Sequence, residues 1–145
     1  GNPGATKDEV KRAAMLSEID SEILKFKKGY ETILGERGVT LSGGQVQRLS
    51  IARSFIKDSE IYLFDDCFSS LDSDTEDRII KNLNNNFKGK TLLIVSHRVS
   101  CVKNADKIIV LEKGSIIQEG THNDLIKNEG FYKDLYIKQN SEINK

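Results

Sequence analysis

The sequence predicts an α/β protein with a mainly parallel sheet. Two short segments, Ile61–Asp65 and Thr91–Ser96, are apolar over most of their length and do not alternate with polar residues. Continuous apolar strands are typical of parallel sheets that are buried on both faces. A helical pattern lies between the two segments, as expected for an α/β domain flanked by helices.

Helices are predicted at the start of the chain. Thr6 and Glu9 form a T-x-x-E capping box, which indicates a helix that begins directly after Thr6. A rough apolar stripe then continues to Phe26. A break is expected near Asp20, where Ser21 can cap a second short helix.

Capping signals also mark the later helices. Ser42 stands at the N-cap position of a helix that has one apolar side. Ser73 and Glu76 form a second capping box, which opens the helix between the two strands. Thr121 and Asp124 form a third, and two short helices are predicted to complete the chain.

A hairpin is predicted before these last helices. The segments 107–111 and 115–118 have the apolar character of strands and are separated by the turn Lys113-Gly114. His122 follows in the turn before a late helix and is interpreted as structural.

Composition excludes several classes of protein. The 22 basic and 22 acidic residues give a formal net charge of zero, so no nucleic-acid partner is predicted. Cys67 and Cys101 form no C-x-x-C pair, which argues against a disulfide framework or a zinc site. No apolar run approaches the roughly 20 residues that span a bilayer.

Charged side chains follow both predicted strands. Asp65 and Asp66 end the first strand, and His97 follows the second. Ligands of open α/β sheets bind beyond the carboxyl ends of the strands. One carboxylate there can hold Mg²⁺, and its neighbour can orient or deprotonate a water molecule. The alternatives are two acids in an exposed turn, and a histidine that caps a helix or lies satisfied in the core.

A second candidate site lies at Ser42-Gly43-Gly44-Gln45. The start of a helix has free N–H groups and a partial positive charge, which together bind phosphate. Two glycines let an anion approach the backbone closely. The alternative is an ordinary capped helix with a flexible start.

These pieces occur in the order seen in ATP-binding-cassette ATPases. LSGGQ at Leu41–Gln45 resembles the family's signature motif, and IYLFDD at Ile61–Asp66 resembles its Walker B strand. SSLD at Ser69–Asp72 resembles the D-loop, and Ser96-His97 resembles the switch histidine. GERG at Gly35–Gly38 resembles the loop that contacts the membrane domains in exporters.

The resemblance implies a partial P-loop NTPase-like fold. Residues 1–58 would be the helical signature subdomain, and residues 59–145 would be the carboxyl-terminal part of the ATPase core, with a hairpin and helices at its end. The family's Walker A loop and Q-loop precede these motifs and are not found in the sequence. The chain is therefore expected to be a carboxyl-terminal portion of a longer polypeptide and to be inactive by itself.

The resemblance also implies the ligands, the partners and the place of action. ATP and Mg²⁺ would be the cofactors. A second nucleotide-binding domain and the transmembrane domains of an exporter would be the partners, at the cytoplasmic face of the membrane.

Roles for the site residues follow from the same resemblance. In this family two cassettes pack head to tail. Ser42, Gly44 and Gln45 would contact the γ-phosphate of nucleotide held by the partner, and Gly43 and Asp72 would also be nucleotide-binding residues. Asp65 would hold the metal ion, and Asp66 and His97 would be catalytic toward nucleotide held by their own subunit.

One position departs from the family pattern in a way that affects chemistry. The second Walker B acid is usually glutamate, the general base, and here it is Asp66. The shorter side chain withdraws the carboxylate by about 1 Å, and misplacements of that size can cost ~10²-fold in rate. Such pairs of aspartates resemble the weakly hydrolysing half of heterodimeric exporters. Val46 is a lesser departure.

Two other functions remain open on the sequence alone. The first is the ATPase head of a non-transport member of the superfamily, in chromosome maintenance or repair, although the long heptad repeats of such proteins are missing. The second is an interaction fragment without catalytic activity.

Overall fold

The computed structural model describes residues 2–35 and 38–143, with the side chains of residues 142 and 143 left aside. The exporter-like loop at Gly35–Gly38 therefore lies partly outside the described residues. The helices are α1 (Lys7–Leu16), α2 (Asp20–Ile23), α3 (Gly43–Phe55), α4 (Ser73–Asn86), α5 (Val99–Val102), α6 (His122–Leu125) and α7 (Phe131–Ile143). The strands are β1 (Ile61–Asp65), β2 (Thr91–Val95), β3 (Ile108–Glu112) and β4 (Ser115–Gly120), and a 3₁₀ turn covers Gly29–Glu31.

The chain divides into two compact units, Gly1–Val95 and Ser96–Lys145. The first contains the helices α1 to α4 and the parallel pair of strands, and the second contains the hairpin and the last helices. The predicted boundary between residues 58 and 59 separates a helical subdomain from the ATPase core of the family, and it stays a prediction. None of the helices in the described ranges has the length and apolarity needed to cross a membrane.

The first helix begins as predicted and ends sooner than its apolar stripe. Thr6 and Glu9 form the reciprocal capping box, but α1 stops at Leu16. The chain reverses at Glu18, whose φ is +58°. Ile19, which is 3% exposed, then stands at the N-cap of α2. The predicted cap at Ser21 is therefore wrong, because burial of Ile19 sets where the second helix starts.

The core of the first unit joins helices that are distant in sequence. Ala13 and Ala14 of α1 pack with Ile19 and with Ala52 of α3. Small side chains at this contact let the two helices approach closely. This packing fixes α3, the helix that begins at the predicted phosphate-binding turn.

The two apolar strands form the predicted parallel pair, with Tyr62 opposite Leu92 and Phe64 opposite Ile94. Successive side chains of a strand point to opposite faces. Tyr62 and Phe64 are buried and join an aromatic cluster with Phe55 and Phe87. The opposite face carries exposed apolar side chains at Ile61, Leu63, Leu93 and Val95. The continuous apolar strands predict a sheet that is buried on both faces. Among the described residues of this unit, only one face of the strand pair is covered.

Helix α4 joins the two strands, and its start corrects one prediction. Asp72, not Ser73, is the N-cap, and its carboxylate accepts a hydrogen bond from the Thr75 N–H at 2.9 Å. Glu76, expected to complete a capping box, is instead fully buried. The helix packs inward through Ile79, Ile80 and Leu83.

The second unit has the predicted antiparallel hairpin. Lys113 and Gly114 have φ values of +49° and +79°, the left-handed pair typical of a tight two-residue turn. Residues from the hairpin and helices form a core of Val99, Ile108, Val110, Leu125 and Tyr132. The His122 Nδ1 lies 2.9 Å from the Tyr132 hydroxyl, which agrees with a structural role for this histidine. Cys101 is buried in α5.

Candidate functional site

The start of α3 is a reciprocally capped helix end. The Ser42 Oγ accepts from the Gln45 N–H at 3.3 Å, and the Gln45 Oε1 accepts from the Ser42 N–H at 2.8 Å. The Val46 N–H is bonded to the Ser42 carbonyl at 2.9 Å. The first-turn amides of Gly43 and Gly44 precede this bond and have no intrahelical acceptor. They are the groups that an anion can reach.

The Gln45 side chain is engaged inside the chain at both ends. Besides its bond to Ser42, its Nε2 donates to the Glu22 Oε2 at 2.6 Å. A phosphate contact through this side chain would require one of the two bonds to open. Gln45 therefore stabilises the turn, whether or not it also contacts a ligand.

Glu22 joins α2 to the start of α3. Its carboxylate forms an ion pair with Arg48 at 2.6 Å, and the side chains of the pair are 25% and 13% exposed. Arg48 also donates to the carbonyls of Glu18 at 2.6 Å and Gly44 at 3.3 Å. Partial burial acts to raise the pKa of Glu22, but the hydrogen bonds from Gln45 and Arg48 and the charge of Arg48 outweigh it and lower the pKa. No sequence signal pointed to Glu22.

The two glycines of the turn lie against the segment Ser69–Asp72, which we call the D-loop. A Cβ added to Gly44 would lie 3.0 Å from the Ser70 carbonyl oxygen. A Cβ added to Gly43 would lie 3.5 Å from the Ser70 Oγ, an ordinary contact. Gly44 therefore permits a close approach between α3 and the backbone of the D-loop.

Gln47 bonds the same two segments directly. Its Nε2 donates to the Ser69 Oγ at 2.9 Å, and its Oε1 accepts from the Ser70 N–H at 2.9 Å. The structure thus brings the predicted residues Ser42–Gln45 together with the segment that ends at Asp72. The Asp72 pKa is lowered, first by the backbone hydrogen bond from Thr75.

The two acids lie at the carboxyl end of the parallel pair, as predicted. Asp65 is the last residue of β1, and the Asp66 N–H continues the ladder to the Val95 carbonyl at 2.9 Å. Asp66 has a φ of +46°, in the left-handed region that aspartate tolerates better than most residues. The Ser69 Oγ donates to the Asp66 carbonyl at 3.0 Å. Both acids are exposed.

The side chains at this strand end can hold a divalent metal ion only if other molecules supply most of its ligands. Among residues 2–35 and 38–143, no group of three or more His, Cys, Asp or Glu side chains is placed to hold a metal ion. Mg²⁺ commonly uses one or two carboxylates and takes its remaining ligands from water and nucleotide phosphates. One carboxylate at the strand end, Asp65, is compatible with that chemistry.

His97 belongs to the second compact unit, where its backbone is held by α7. Its carbonyl accepts from the Gln139 Nε2 at 2.8 Å, and the Gln139 Oε1 accepts from the Val99 N–H at 2.9 Å. The Arg98 N–H bonds to the Ser96 Oγ at 3.0 Å. The loop after β2 is thus fixed on both sides of an exposed imidazole.

Comparison with known proteins agrees with this architecture. Residues 3–69 match the ABC transporter family. The chain is 46% identical over 142 residues to the mitochondrial potassium channel ATP-binding subunit of Xenopus tropicalis, covering 98% of the chain and 21% of that protein. It is 43% identical over 142 residues to the multidrug resistance-like ATP-binding protein MdlA of Escherichia coli (strain K12), covering 98% of the chain and 24% of that protein.

A solved structure extends the likeness to three dimensions. A bacterial Atm1-family ABC exporter with ATP bound superimposes with a TM-score of 0.89 at 37% identity, covering 95% of the chain and 24% of the exporter chain. The chain has part of the P-loop nucleoside triphosphatase fold. Its similarity to members of the ABC transporter family extends over nearly the whole chain. It spans about a quarter or less of the length of these relatives.

Proposed function

We propose that this chain is part of the energy-coupling ATPase of an ABC exporter. The observation that carries the proposal is the joint placement of a capped Ser-Gly-Gly-Gln helix start, the adjoining D-loop and the Asp65-Asp66 strand end in one unit. The exporter character is supported by similarity to MdlA and to the Atm1-family exporter. That similarity favours transport over a chromosome-maintenance role.

The turn at Ser42–Gly44 is proposed to bind the terminal phosphate of ATP held by a second cassette. Its first-turn amides supply donors, and the helix dipole favours an anion. The Glu22–Arg48 ion pair supports this role, because Arg48 donates to the Gly44 carbonyl and Glu22 accepts from the Gln45 side chain. The donors are then ordered before a ligand arrives.

Asp65 and Asp66 are proposed to act on nucleotide bound by their own subunit. Asp65 would be a ligand of Mg²⁺, which when bound supplies charge neutralisation at the phosphates. Asp66 would accept a proton from the attacking water as that water becomes a nucleophile. His97 would donate a hydrogen bond to the terminal phosphate. The short side chain of Asp66 is proposed to make this a weakly hydrolysing site.

The partners are proposed to be a second nucleotide-binding domain and the membrane-spanning domains of the exporter. The chain would then work at the cytoplasmic face of a membrane. ATP would bind at the interface of the two cassettes, and its hydrolysis would loosen that interface. The difference in binding free energy between the two states would drive the membrane domains from one conformation to the other.

The test uses the complete transporter and the substitution Ser42→Arg. A bulky cation there removes the cap and fills the space where phosphate would lie, so hydrolysis of nucleotide held by the partner should fall by about 10²-fold or more. Ser50→Arg is the matched control, because it adds the same charge at an exposed position of the same helix.

Nucleotide photolabelling separates the two cassettes in this experiment. Nucleotide binding by the mutated subunit itself should be retained. Loss of labelling on that subunit, with the partner's turnover intact, would refute the assignment of this turn to the partner's nucleotide. Absence of Mg-ATPase activity in the unmodified transporter would refute the proposed function as a whole.

A further inference from the structure

Gln47 is connected to Asp66 by a continuous chain of hydrogen bonds. The Gln47 Nε2 donates to the Ser69 Oγ at 2.9 Å, and the Ser69 Oγ donates to the Asp66 carbonyl at 3.0 Å. The donors run in one direction, from α3 to the residue that follows β1. Hydrogen bonds arranged in this way polarise one another and strengthen.

A second bond from the same side chain fixes the D-loop at the next residue. The Gln47 Oε1 accepts from the Ser70 N–H at 2.9 Å, so the amide of Gln47 uses its donor and its acceptor on adjacent residues. The Ser70 backbone also lies against Gly44. The D-loop is thus held to α3 at two points one helical turn apart.

Asp66 has a backbone conformation that needs such support. Its φ of +46° lies in a region that costs about 1–2 kcal/mol for most L-residues. Its N–H is bonded to the Val95 carbonyl of the sheet, and its carbonyl is bonded to Ser69. One anchor belongs to the sheet. The other is on Ser69, whose N–H also donates to the Asp66 carbonyl at 3.5 Å and whose hydroxyl is bonded to Gln47.

We infer that Gln47 is a positioning residue that makes the orientation of Asp66 depend on the position of α3. This inference rests on the proposed function. The start of α3 would contact nucleotide held by the partner, whereas Asp66 would act on nucleotide held by its own subunit. Gln47 then joins a residue of one ATP site to the helix that completes the other, within a single chain.

The substitution Gln47→Met tests the link, because methionine keeps the volume and the helix propensity and removes both hydrogen bonds. It is made in the complete transporter with the partner's own hydrolysis site inactivated, so that turnover reports the site of Asp66. We expect kcat to fall by about tenfold through misplacement of the carboxylate, with KM for Mg-ATP unchanged. Ser50→Ala, on the exposed side of the same helix, should leave both unchanged.

A double-mutant cycle with Ser69→Ala distinguishes a relay from general damage. If Gln47 acts through Ser69, the double variant should be no slower than the slower single variant. Gln47→Glu keeps an acceptor for the Ser70 N–H and loses the donor to Ser69, so it should fall between the native protein and Gln47→Met. Multiplicative losses in kcat, or an unchanged kcat in Gln47→Met, would overturn the inference.

Hydrogen exchange supplies a readout that does not need turnover. The Ser70 amide should exchange faster in Gln47→Met and not in Ser50→Ala, because only the first loses its acceptor. Unchanged exchange across residues 66–72 would overturn the inference even if activity were lost. A native transporter without Mg-ATPase activity would instead overturn the proposed function. Hydrogen exchange would still show whether Gln47 holds residues 66–72 in place.

Discussion

Replacing Asp66 with glutamate should increase hydrolysis at the site that this chain serves. The Asp66 N–H is fixed to the Val95 carbonyl at 2.9 Å, so the backbone cannot advance to compensate for a short side chain without breaking the ladder. Asp66→Glu adds one methylene and moves the carboxylate outward by about 1 Å. Asp66 is exposed, so the longer side chain meets no packed core.

The size of the gain follows from two opposing effects. A base that is about 1 Å out of place can cost ~10²-fold, and general-base catalysis as a whole contributes roughly 10²–10⁴-fold. Against this, the φ of +46° suits aspartate better than glutamate, although the difference is smaller than the full cost of about 1–2 kcal/mol for a left-handed residue. A net gain of about tenfold, or about 1.4 kcal/mol of transition-state stabilisation, is therefore expected.

Single-site turnover in the complete transporter measures this gain, with the partner's own site inactivated. Asp66→Asn should remove the remaining activity, because it removes the proposed base. Asp65→Asn should instead weaken Mg²⁺-dependent nucleotide binding, because it removes the proposed metal ligand. Equal rates for aspartate and glutamate at position 66 would refute the reasoning, since they would mean that Asp66 already reaches the water.

Three further predictions concern the support of the site. Gly43→Ala should leave the thermal unfolding temperature nearly unchanged, whereas Gly44→Ala should lower it, because its Cβ would lie 3.0 Å from the Ser70 carbonyl oxygen; equal effects in calorimetry would contradict this reading. Glu22→Gln should lower the free energy of unfolding at neutral pH, because a carboxylate with a lowered pKa stabilises the fold only while it is ionised. The difference in unfolding free energy from the native protein should shrink as the pH falls below about 4. Denaturant unfolding at several pH values measures this difference. Asp72→Ala should lower the unfolding temperature by a few degrees through loss of the α4 cap, and Asp72→Asn, which keeps an acceptor, should restore most of the loss.

Local signals predicted the starts of three helices and missed the start of α2, where Ile19 and not Ser21 is the N-cap. The capping boxes at Thr6 and Thr121 and the cap at Ser42 are confirmed. At α4 two adjacent residues could each cap the helix, and the structure uses Asp72. The pattern could not decide between them, because the choice depends on whether Glu76 lies at the helix start or in the core.

The long-range contacts of the site could not be predicted from the sequence. Gln45 reaches Glu22 and Gln47 reaches Ser69, over separations of 23 and 22 residues. Such pairs form only after tertiary packing has brought α3 against α2 and against the D-loop, and neither the spacing nor the residue types predict them. The left-handed backbone of Asp66 could not be predicted either. Aspartate tolerates that conformation but adopts others as readily.

These hidden contacts explain why the exposed turn at the start of α3 can be rigid. On one side, Glu22 and Arg48 hold the Gln45 side chain and the Gly44 carbonyl. On the other side, Gln47 holds the D-loop against the helix. A flexible glycine turn would lose conformational entropy when it ordered around a phosphate, and that loss would weaken binding. In this chain much of that entropy is lost on folding, so under the proposed function more of the free energy of contact with nucleotide would remain to bring two cassettes together.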